Sequence, residues 1–446
     1  MKRLLLLATT TGYQIRSFGD AAEKLGVRIM FATDRCDRLE DPWWDQAIPI
    51  RFHEEEQSVD TIVRAVNGAP VDGVLAVGDR PTIIAAQAAR ALGLEGNPPE
   101  AACASRNKLA CRLALRRAGL PVPWFQPVPA SRDPHVLARD VPYPCVVKPL
   151  ALAGSRGVIR ANTPEEFAAA FERLRRLLQA PDVRIEREAA HDAVMIESFI
   201  PGREYAVEGL LDRGALRTLA IFDKPDPLDG PFFEETIYIT PSTLDEGRQA
   251  EVRAAVAKAA QALGLRHGAV HAEARVNEQG VFVLEVAARP IGGLCSKALR
   301  FAAARNATPD DETARTERAD DGEAHQMPPY DDEDGVVSLE EVLLRHALGE
   351  DVSRYERETR ASGVMMIPIP KRGIYKGVDG IDAARAVSGI AEVRMTAKPD
   401  QQLIPLPEGK SYLGFIFARA ATSGEVDAAL REAHARLRFR IDRALV

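Results

Sequence analysis

The stretch Ala269-Val-His-Ala-Glu-Ala-Arg-Val-Asn-Glu-Gln-Gly-Val-Phe-Val-Leu-Glu-Val-Ala-Ala-Arg-Pro-Ile-Gly-Gly293 decides how this chain folds. Ala269–Val276 and Val281–Val286 both alternate with a period of two, and Asn277–Gly280 supplies turn residues between them. The segment therefore reads as an antiparallel strand pair. Alternation puts His271, Glu273 and Arg275 on one face of the first arm, and Val283, Glu285 and Ala287 on one face of the second. Carboxylates are costly in a core strand unless something offsets their charge. Glu273 and Glu285 either face solvent on a half-exposed sheet or hold a divalent ion. Mg²⁺ takes hard oxygen donors, and one or two carboxylates with substrate phosphates suffice.

Upstream, Tyr143–Pro149 reads as a short strand closing on Lys148, and the small-residue loop Ala151–Gly157 follows at once. Backbone N–H groups of such a loop can form an anion nest, and a Lys can add a point charge on phosphates. The P-loop pattern is absent, so a plain turn is the competing reading. Val194–Ile200 is a strand ending in Glu197-Ser-Phe199-Ile200, followed by Pro201-Gly202-Arg203-Glu204. An acid, an apolar edge and a second acid suit a purine nucleoside: edge backbone groups can bond a base, and an acid can hold ribose hydroxyls. Thr163-Pro164-Glu165-Glu166 reads as a capping box opening a helix to about Leu178. Tyr205–Leu211 and Leu216–Phe222 suggest a hairpin, and Gln249–Leu263 an amphipathic helix.

The first hundred residues alternate strands (Arg3–Ala8, Val27–Ala32, Val71–Val77) with helices (Ser17–Leu25, Pro81–Leu92), which implies a parallel sheet covered on both faces. The dinucleotide fingerprint is missing after the first strand, so this is a structural Rossmann-like lobe. Asn97–Ala101 reads as a linker, and Lys108–Ala118 as a helix. Beyond the hairpin, Thr308–Asp334 holds eleven Asp/Glu against two Arg and almost no large apolar residues. Such a segment cannot bury enough surface to fold and reads as a solvated, disordered insertion. Ser338–Leu348 is a helix with a Ser338/Glu341 capping box. Gly363–Ile369, Ile381–Val387, Ile390–Met395, Tyr412–Ala418 and Glu425–Leu437 then read as a compact α/β module of its own.

Composition narrows the function. A net charge of −7 argues against a nucleic-acid partner, which usually leaves a basic patch. The Leu4–Leu7 run is short for a signal peptide and reads better as a buried strand, and no segment is apolar for the length a membrane helix needs. Five scattered cysteines without a C-x-x-C pair fit a reduced, cytoplasmic protein with no zinc–thiolate site.

These pieces stand in one order: Arg106-Asn107-Lys108, the Val-Val-Lys-Pro strand with its Ala-Gly-Ser-Arg-Gly loop, Met-Ile-Glu-Ser-Phe-Ile-Pro-Gly-Arg-Glu-Tyr, His-Ala-Glu, and Leu-Glu-Val-Ala-Ala-Arg-Pro-Ile-Gly-Gly. From about Ala102 to Gly293 the chain resembles the ATP-grasp superfamily, and through to the C-terminus the L-amino acid ligase group of carboxylate–amine ligases. The resemblance implies an α/β ATP-grasp fold: a Rossmann-like domain over 1–100, a core over 101–306 with a mobile lid subdomain about 124–200, the acidic insertion 307–335, and a C-terminal α+β module over 336–446. It implies that Lys108 and Lys148 contact ATP phosphates, with Gly154, Ser155 and Gly157 in the phosphate lid. Glu197, with the backbone of Phe199 and Ile200, would hold adenine, and Glu204 the ribose. Glu273 and Glu285 would bind Mg²⁺, with Mn²⁺ as the alternative. Arg289 would grip the transferring phosphate, and Gly292 and Gly293 would donate to the substrate carboxylate. His271 is either a substrate contact or a satisfied strand histidine. Glu235 either faces a substrate ammonium or sits on a surface hairpin. Many ATP-grasp enzymes carry Asn two residues after the second acid; here that position is Ala287, which leaves the metal count open.

The activity implied is ATP-dependent joining of an acid to an amine, with a dipeptide-like amide as product, through an acyl phosphate with release of ADP and phosphate. The partners are small-molecule acid and amine substrates, with neither nucleic acid nor membrane, and with homo-oligomerisation open. A biotin-carboxylase-like or purine-pathway enzyme is the rival, disfavoured because Arg289 is followed by Pro-Ile-Gly-Gly. A nucleotide-binding pseudoenzyme scaffold would be expected to lack a metal acid or a phosphate lysine, and both pairs are present.

Overall fold

The computed structural model describes residues 1–9, 14–34, 47–303 and 335–443. The acidic stretch Thr308–Asp334 lies outside the described residues. The architecture is mixed α/β.

The chain opens with β1 (Arg3–Ala8), α1 (Ile15–Lys24), β2 (Arg28–Thr33), β3 (Ile48–Pro49), α2 (Glu55–Val66), β4 (Gly73–Val77) and α3 (Thr82–Leu92). The strands lie in the order β3-β2-β1-β4 and are all parallel. Leu4–Leu7 are fully buried, as expected for a parallel strand covered on both faces. Helix α3 stops where Gly93 turns left-handed at φ 66°, a conformation that suits Gly.

The expected linker at Asn97–Ala101 is instead the start of a helix, α4 (Pro99–Arg106). Pro98-Pro99 looks like a breaker in sequence, but a proline at the first helical turn gives up only an N–H that has no intrahelical partner. Helix α5 (Lys108–Arg117) follows at once, because the Asn107 side chain caps it by accepting from the N–H groups of Leu109 and Ala110.

A four-stranded antiparallel sheet comes next, built from β5 (Phe125–Pro129), β6 (Cys145–Pro149), β7 (Ile159–Ala161) and β8 (Ala193–Ser198) in the order β5-β8-β6-β7. Helix α6 (Pro164–Leu178) covers it through buried Phe167, Phe171 and Leu174. Thr163 caps α6 by accepting from the Glu166 N–H, as the motif requires. The reciprocal arm differs: the Glu166 carboxylate accepts from the Asn162 N–H, one residue earlier, so the box is only half formed.

The centre is an eight-stranded sheet. Its first strands are β9 (Arg203–Asp212), β10 (Ala215–Asp223), β11 (Ile237–Thr240), β12 (Gly268–Asn277) and β13 (Gly280–Ala287), with helix α7 (Glu246–Leu263) between β11 and β12. After α8 (Leu339–Ala347) come β14 (Ala361–Ile367), β15 (Ile390–Met395), β16 (Gly414–Ala420) and α9 (Ser423–Arg436). The order is β13-β12-β9-β10-β11-β14-β16-β15. Three C-terminal strands thus extend the central sheet, while Gly373–Asp379, Gln402–Leu403 and Arg438–Asp442 pair in a small three-stranded sheet of their own. Strand periodicity is the same whether a strand joins a new sheet or an old one, so the sequence could not distinguish them. Alternation along β9 serves both faces: Val207 and Leu211 belong to the core under α7 with Val252 and Val256, while Ala206 and Leu210 belong to the opposite core with Leu339 and Leu343 of α8. The Ser338/Glu341 capping box starts α8 with both of its bonds made. No helix among the described residues is long and apolar enough to cross a membrane.

Candidate active site

Every residue singled out in the sequence except Gly157 lines one cavity of about 490 Å³, between the N-terminal sheet, the four-stranded sheet and the central sheet. Phe233, Cys295 and Met366 line it as well.

One wall is cationic. Lys108 opens α5, donates to the Leu152 carbonyl at 2.7 Å, and lies 3.4 Å from Glu285. Lys148 near the end of β6 is buried, with Nζ 2.5 Å from Glu197 Oε2. On the other side of that carboxylate, Arg112 Nε donates to Oε1 at 2.6 Å. Burial alone would raise the Glu197 carboxyl, but Arg112 and Lys148 overcome it and hold it at about 2. Burial pushes the Lys148 ammonium down to about 8, against the pull of Glu197 and helped by Arg112 and Lys108. The Glu197 side chain is therefore committed to two cations and aims Lys148. The adjoining edge is partly used as well: the Phe199 N–H donates to Pro144, and the Ile200 carbonyl accepts from Arg275. Beside that edge Phe199 stacks on Phe233 at 6.4 Å between centroids, and the guanidinium carbons of Arg160 and Arg275 lie 4.0 and 5.0 Å from the centre of the Phe199 ring.

The roof is the loop after β6. Gly154, Ser155 and Gly157 have φ of 64°, 54° and 75°, which turns the backbone tightly. Gly157 packs rather than lines, since a Cβ there would meet Leu174 at 2.8 Å. The loop is strapped to the C-terminal region. The Gly157 N–H donates to Pro407 at 2.8 Å, Arg156 donates to the Glu408 carbonyl at 2.9 Å, and Arg173 pairs with the Glu408 carboxylate at 2.5 Å.

The floor is acidic. Glu273 on β12 stands opposite Glu285 on β13 in the strand register, with a bulge just beyond Glu273. Lys224, which the sequence reading missed, sits buried among three carboxylates: Glu204 at 2.8 Å, Glu235 at 2.7 Å and Glu273 at 2.9 Å. Glu235 is thus part of the site rather than of a surface hairpin. Burial works against the Lys224 charge, but the three acids overcome it and raise its pKa. Burial and Glu235 push the Glu273 carboxyl up to about 7 despite Lys224. Glu204 is shared between Lys224 and Arg275, the latter at 3.0 Å. His271 is a paired strand histidine: Nδ1 lies 3.1 Å from Glu208, which also accepts from the Ile291 N–H. Burial lowers the His271 imidazole against that partner and raises the Glu208 carboxyl.

Arg289 follows β13 and pairs with Asp79, which follows β4. Asp79 was also missed, although it had a signal: it follows Gly78 past the C-terminal end of a parallel strand, where open α/β sheets place ligands. Lys224 offered little beyond being a charged residue just past an apolar strand. Gly293 has φ 62°, and a Cβ there would meet the Phe415 ring at 3.2 Å, so Gly suits the bend that lines the cavity.

The donor set fits a hard divalent cation. Glu273 and Glu285 offer oxygens only, from facing positions on neighbouring strands that both line the cavity. The arrangement can hold a polyanion between lysines and a metal, and bring a second anion beside it under Arg289.

Comparison with known proteins agrees with this geometry. The model for the ATP-grasp domain matches residues 141–298, that for the ATP-grasp N-terminal domain residues 19–96, and that for L-amino acid ligase C-terminal domain 2 residues 365–442. The crystal structure of an L-amino acid ligase from Bacillus licheniformis superposes with a TM-score of 0.78, at 25% identity, over 99% of both chains. An uncharacterised protein of Sinorhizobium fredii is 23% identical over 97% of this chain and 82% of its own. The alanine–anticapsin ligase of Bacillus amyloliquefaciens is 29% identical over 50% of this chain and 49% of its own length. The chain thus spans about half the length of that ligase.

Proposed function

We propose that this chain, an ATP-grasp protein carrying an L-amino acid ligase C-terminal domain, is an ATP-dependent carboxylate–amine ligase that forms an amide through an acyl phosphate. The observation that carries the reading is the meeting, in one cavity, of two lysines, a left-handed glycine loop, an opposed pair of acids and Arg289. Related ligases suggest an amino acid as the acid and a dipeptide-like product.

In this reading Lys108 and Lys148 hold the ATP phosphates, with Gly154 and Ser155 above them. Glu197 keeps Lys148 in place. Phe199 and Ile200 edge the base, and Glu204 serves the ribose. Mg²⁺, or Mn²⁺ in its place, held by Glu273 and Glu285 would offset the charge of the β- and γ-phosphates. Arg289 and the Gly292–Gly293 backbone orient the substrate carboxylate. That carboxylate attacks the γ-phosphorus, and ADP leaves. The amine then attacks the acyl carbon, and phosphate leaves with the oxygen it took from the acid. Glu235 faces the amine side. The strap from Arg156 and Arg173 to Glu408 keeps the loop over the site, so that water does not reach the acyl phosphate first. The units 1–100, 101–306 and 336–446 each supply part of this cavity, with 124–200 as its lid.

The test is a screen of amino acid pairs for ADP and phosphate release, with and without Mg²⁺. ADP should form only when an acid substrate and Mg²⁺ are present, and more should form when an amine is added. Release of AMP and pyrophosphate would overturn the reading.

A further inference from the structure

Asp212, His267 and His346 form a second cluster at the other end of the central sheet. A ring nitrogen of each imidazole and a carboxylate oxygen of Asp212 lie within 4.8 Å of one another. We propose that these three residues bind a borderline transition-metal dication of the Zn²⁺ class, which ties α8 to the β9–β12 strand pair.

The backbone builds the cluster. Strand β9 ends at Asp212 and β12 begins at Gly268, with Gly268 opposite Leu211. One further step of that antiparallel register sets His267 beside Asp212. The Asn97 side chain fixes the approach, since its carbonyl oxygen accepts from the Arg266 and His267 N–H groups at 2.7 and 3.1 Å. His346 comes from the last turn of α8, and its ring stacks on His267 at 4.4 Å between centroids. Two residues from one sheet edge and one from a helix thus converge.

The second observation is an unmet donor or acceptor. His346 is only 6% exposed, yet its Nε2 makes no hydrogen bond among the described residues. Buried polar atoms nearly always have a partner, and each exception asks for one.

The donor set selects the ion. Imidazole suits Zn²⁺ and its neighbours, whereas Mg²⁺ prefers oxygen. Two His and one carboxylate leave a fourth position open toward the exposed Asp212 side, as in three-ligand sites. Zn–N bonds of about 2.0–2.1 Å put tetrahedral ligand atoms about 3.3 Å apart, so the two stacked rings turn toward the ion as it binds, because each nitrogen lone pair lies in its ring plane. The opposing charge is Arg217, whose guanidinium donates to the Ser353 carbonyl at 2.8 Å. Asp212 offsets it, as does Glu95 near His267. Glu273 lies six residue steps beyond His267, about 20 Å along β12, so the site is distinct from the cavity above.

The experiment uses the full chain, stripped of metal and kept in excess Mg²⁺ and ADP so that the main cavity is saturated. Zn²⁺ binding is measured by equilibrium dialysis, Co²⁺ binding by its visible absorption, and melting temperature on the same samples. The proposal expects one Zn²⁺ per chain, a Co²⁺ band typical of low coordination number, and a raised melting temperature. His267→Gln and Asp212→Asn, both at positions with some solvent exposure, should each weaken Zn²⁺ at least about tenfold, since even loss of an outer partner costs about 10–100-fold. Both variants should keep ADP-forming activity, and Glu273→Gln should keep the Zn²⁺. No Zn²⁺ uptake would overturn the proposal. So would uptake that survives both His267→Gln and Asp212→Asn, or that disappears in Glu273→Gln.

Discussion

Arg289 and Asp79, 210 positions apart in the chain, meet in a two-pronged ion pair, with Nε 3.0 Å from Oδ1 and Nη2 3.3 Å from Oδ2. The pair joins the loop after β13 to the loop after β4, and so fastens the N-terminal sheet across the cavity. Burial by itself would lower the Arg289 pKa, but Asp79 overrides it and raises it.

Arg289 presents a planar fork to oxyanions, and Lys only one compact charge. An interaction made mainly in the transition state lowers kcat and kcat/KM together. Arg289→Lys should therefore lose at least about 10²-fold in kcat, about 2.7 kcal/mol, with ATP affinity largely kept. If the Asp79 pair is the whole role of Arg289, the variant will instead melt earlier and lose activity only in proportion to folded protein. Measuring kcat, ATP affinity and melting temperature on one preparation separates the two. A stable variant with near-normal turnover would remove Arg289 from the mechanism.

Lys224 is the cation that lets Glu204, Glu235 and Glu273 share one buried space. Removing one partner of a buried ion pair costs about 3–5 kcal/mol, because the other charge stays behind. Lys224→Met should melt well below the parent, and added Mg²⁺ should recover more stability in the variant than in the parent. Equal melting curves without metal would show that the acids do not need the ammonium.

Lys148 supplies the pH dependence. Its pKa is held down at about 8, chiefly by burial. It is charged below that pH and neutral above it. Attraction for ATP phosphates is therefore present below pH 8 and lost as pH rises through it. KM for ATP should climb on the alkaline side, and Lys148→Arg, which stays charged, should flatten the climb. A profile unchanged by that substitution would assign the limb to another group.

Glu408 accepts two bonds from Arg173, and its carbonyl takes one from Arg156. Glu408→Ala cuts the side-chain half of this strap. With the roof loosened, water should compete with the amine, so ADP formed per amide should rise. Unchanged coupling would mean that the backbone bond from Gly157 to Pro407 is enough.

The hairpin carrying Glu273 and Glu285 was legible because period-two alternation and turn residues report on one local piece of backbone. So were Lys148, its loop and the strand ending at Glu197. Lys224 and Glu208 were not, because a single charged residue has no pattern, and Asp79 had only its place past the end of β4; what makes each matter is a partner 11 to 210 positions away. Glu197 shows the same limit from the other side. The motif drew attention to it, but only the fold reveals that Arg112 and Lys148 consume its carboxylate. The membership of Ala361–Ile367 and Gly414–Ala420 in the central sheet was hidden for the same reason, since pairing between distant strands leaves no mark on either.

The central claim is that the acid is activated by taking phosphate onto its own oxygen. Supplying the acid with an ¹⁸O-labelled carboxylate, together with ATP, Mg²⁺ and the amine, tests it most directly. The account predicts one ¹⁸O in each phosphate released, in step with amide formation. Phosphate free of label, or label appearing in AMP, would contradict it.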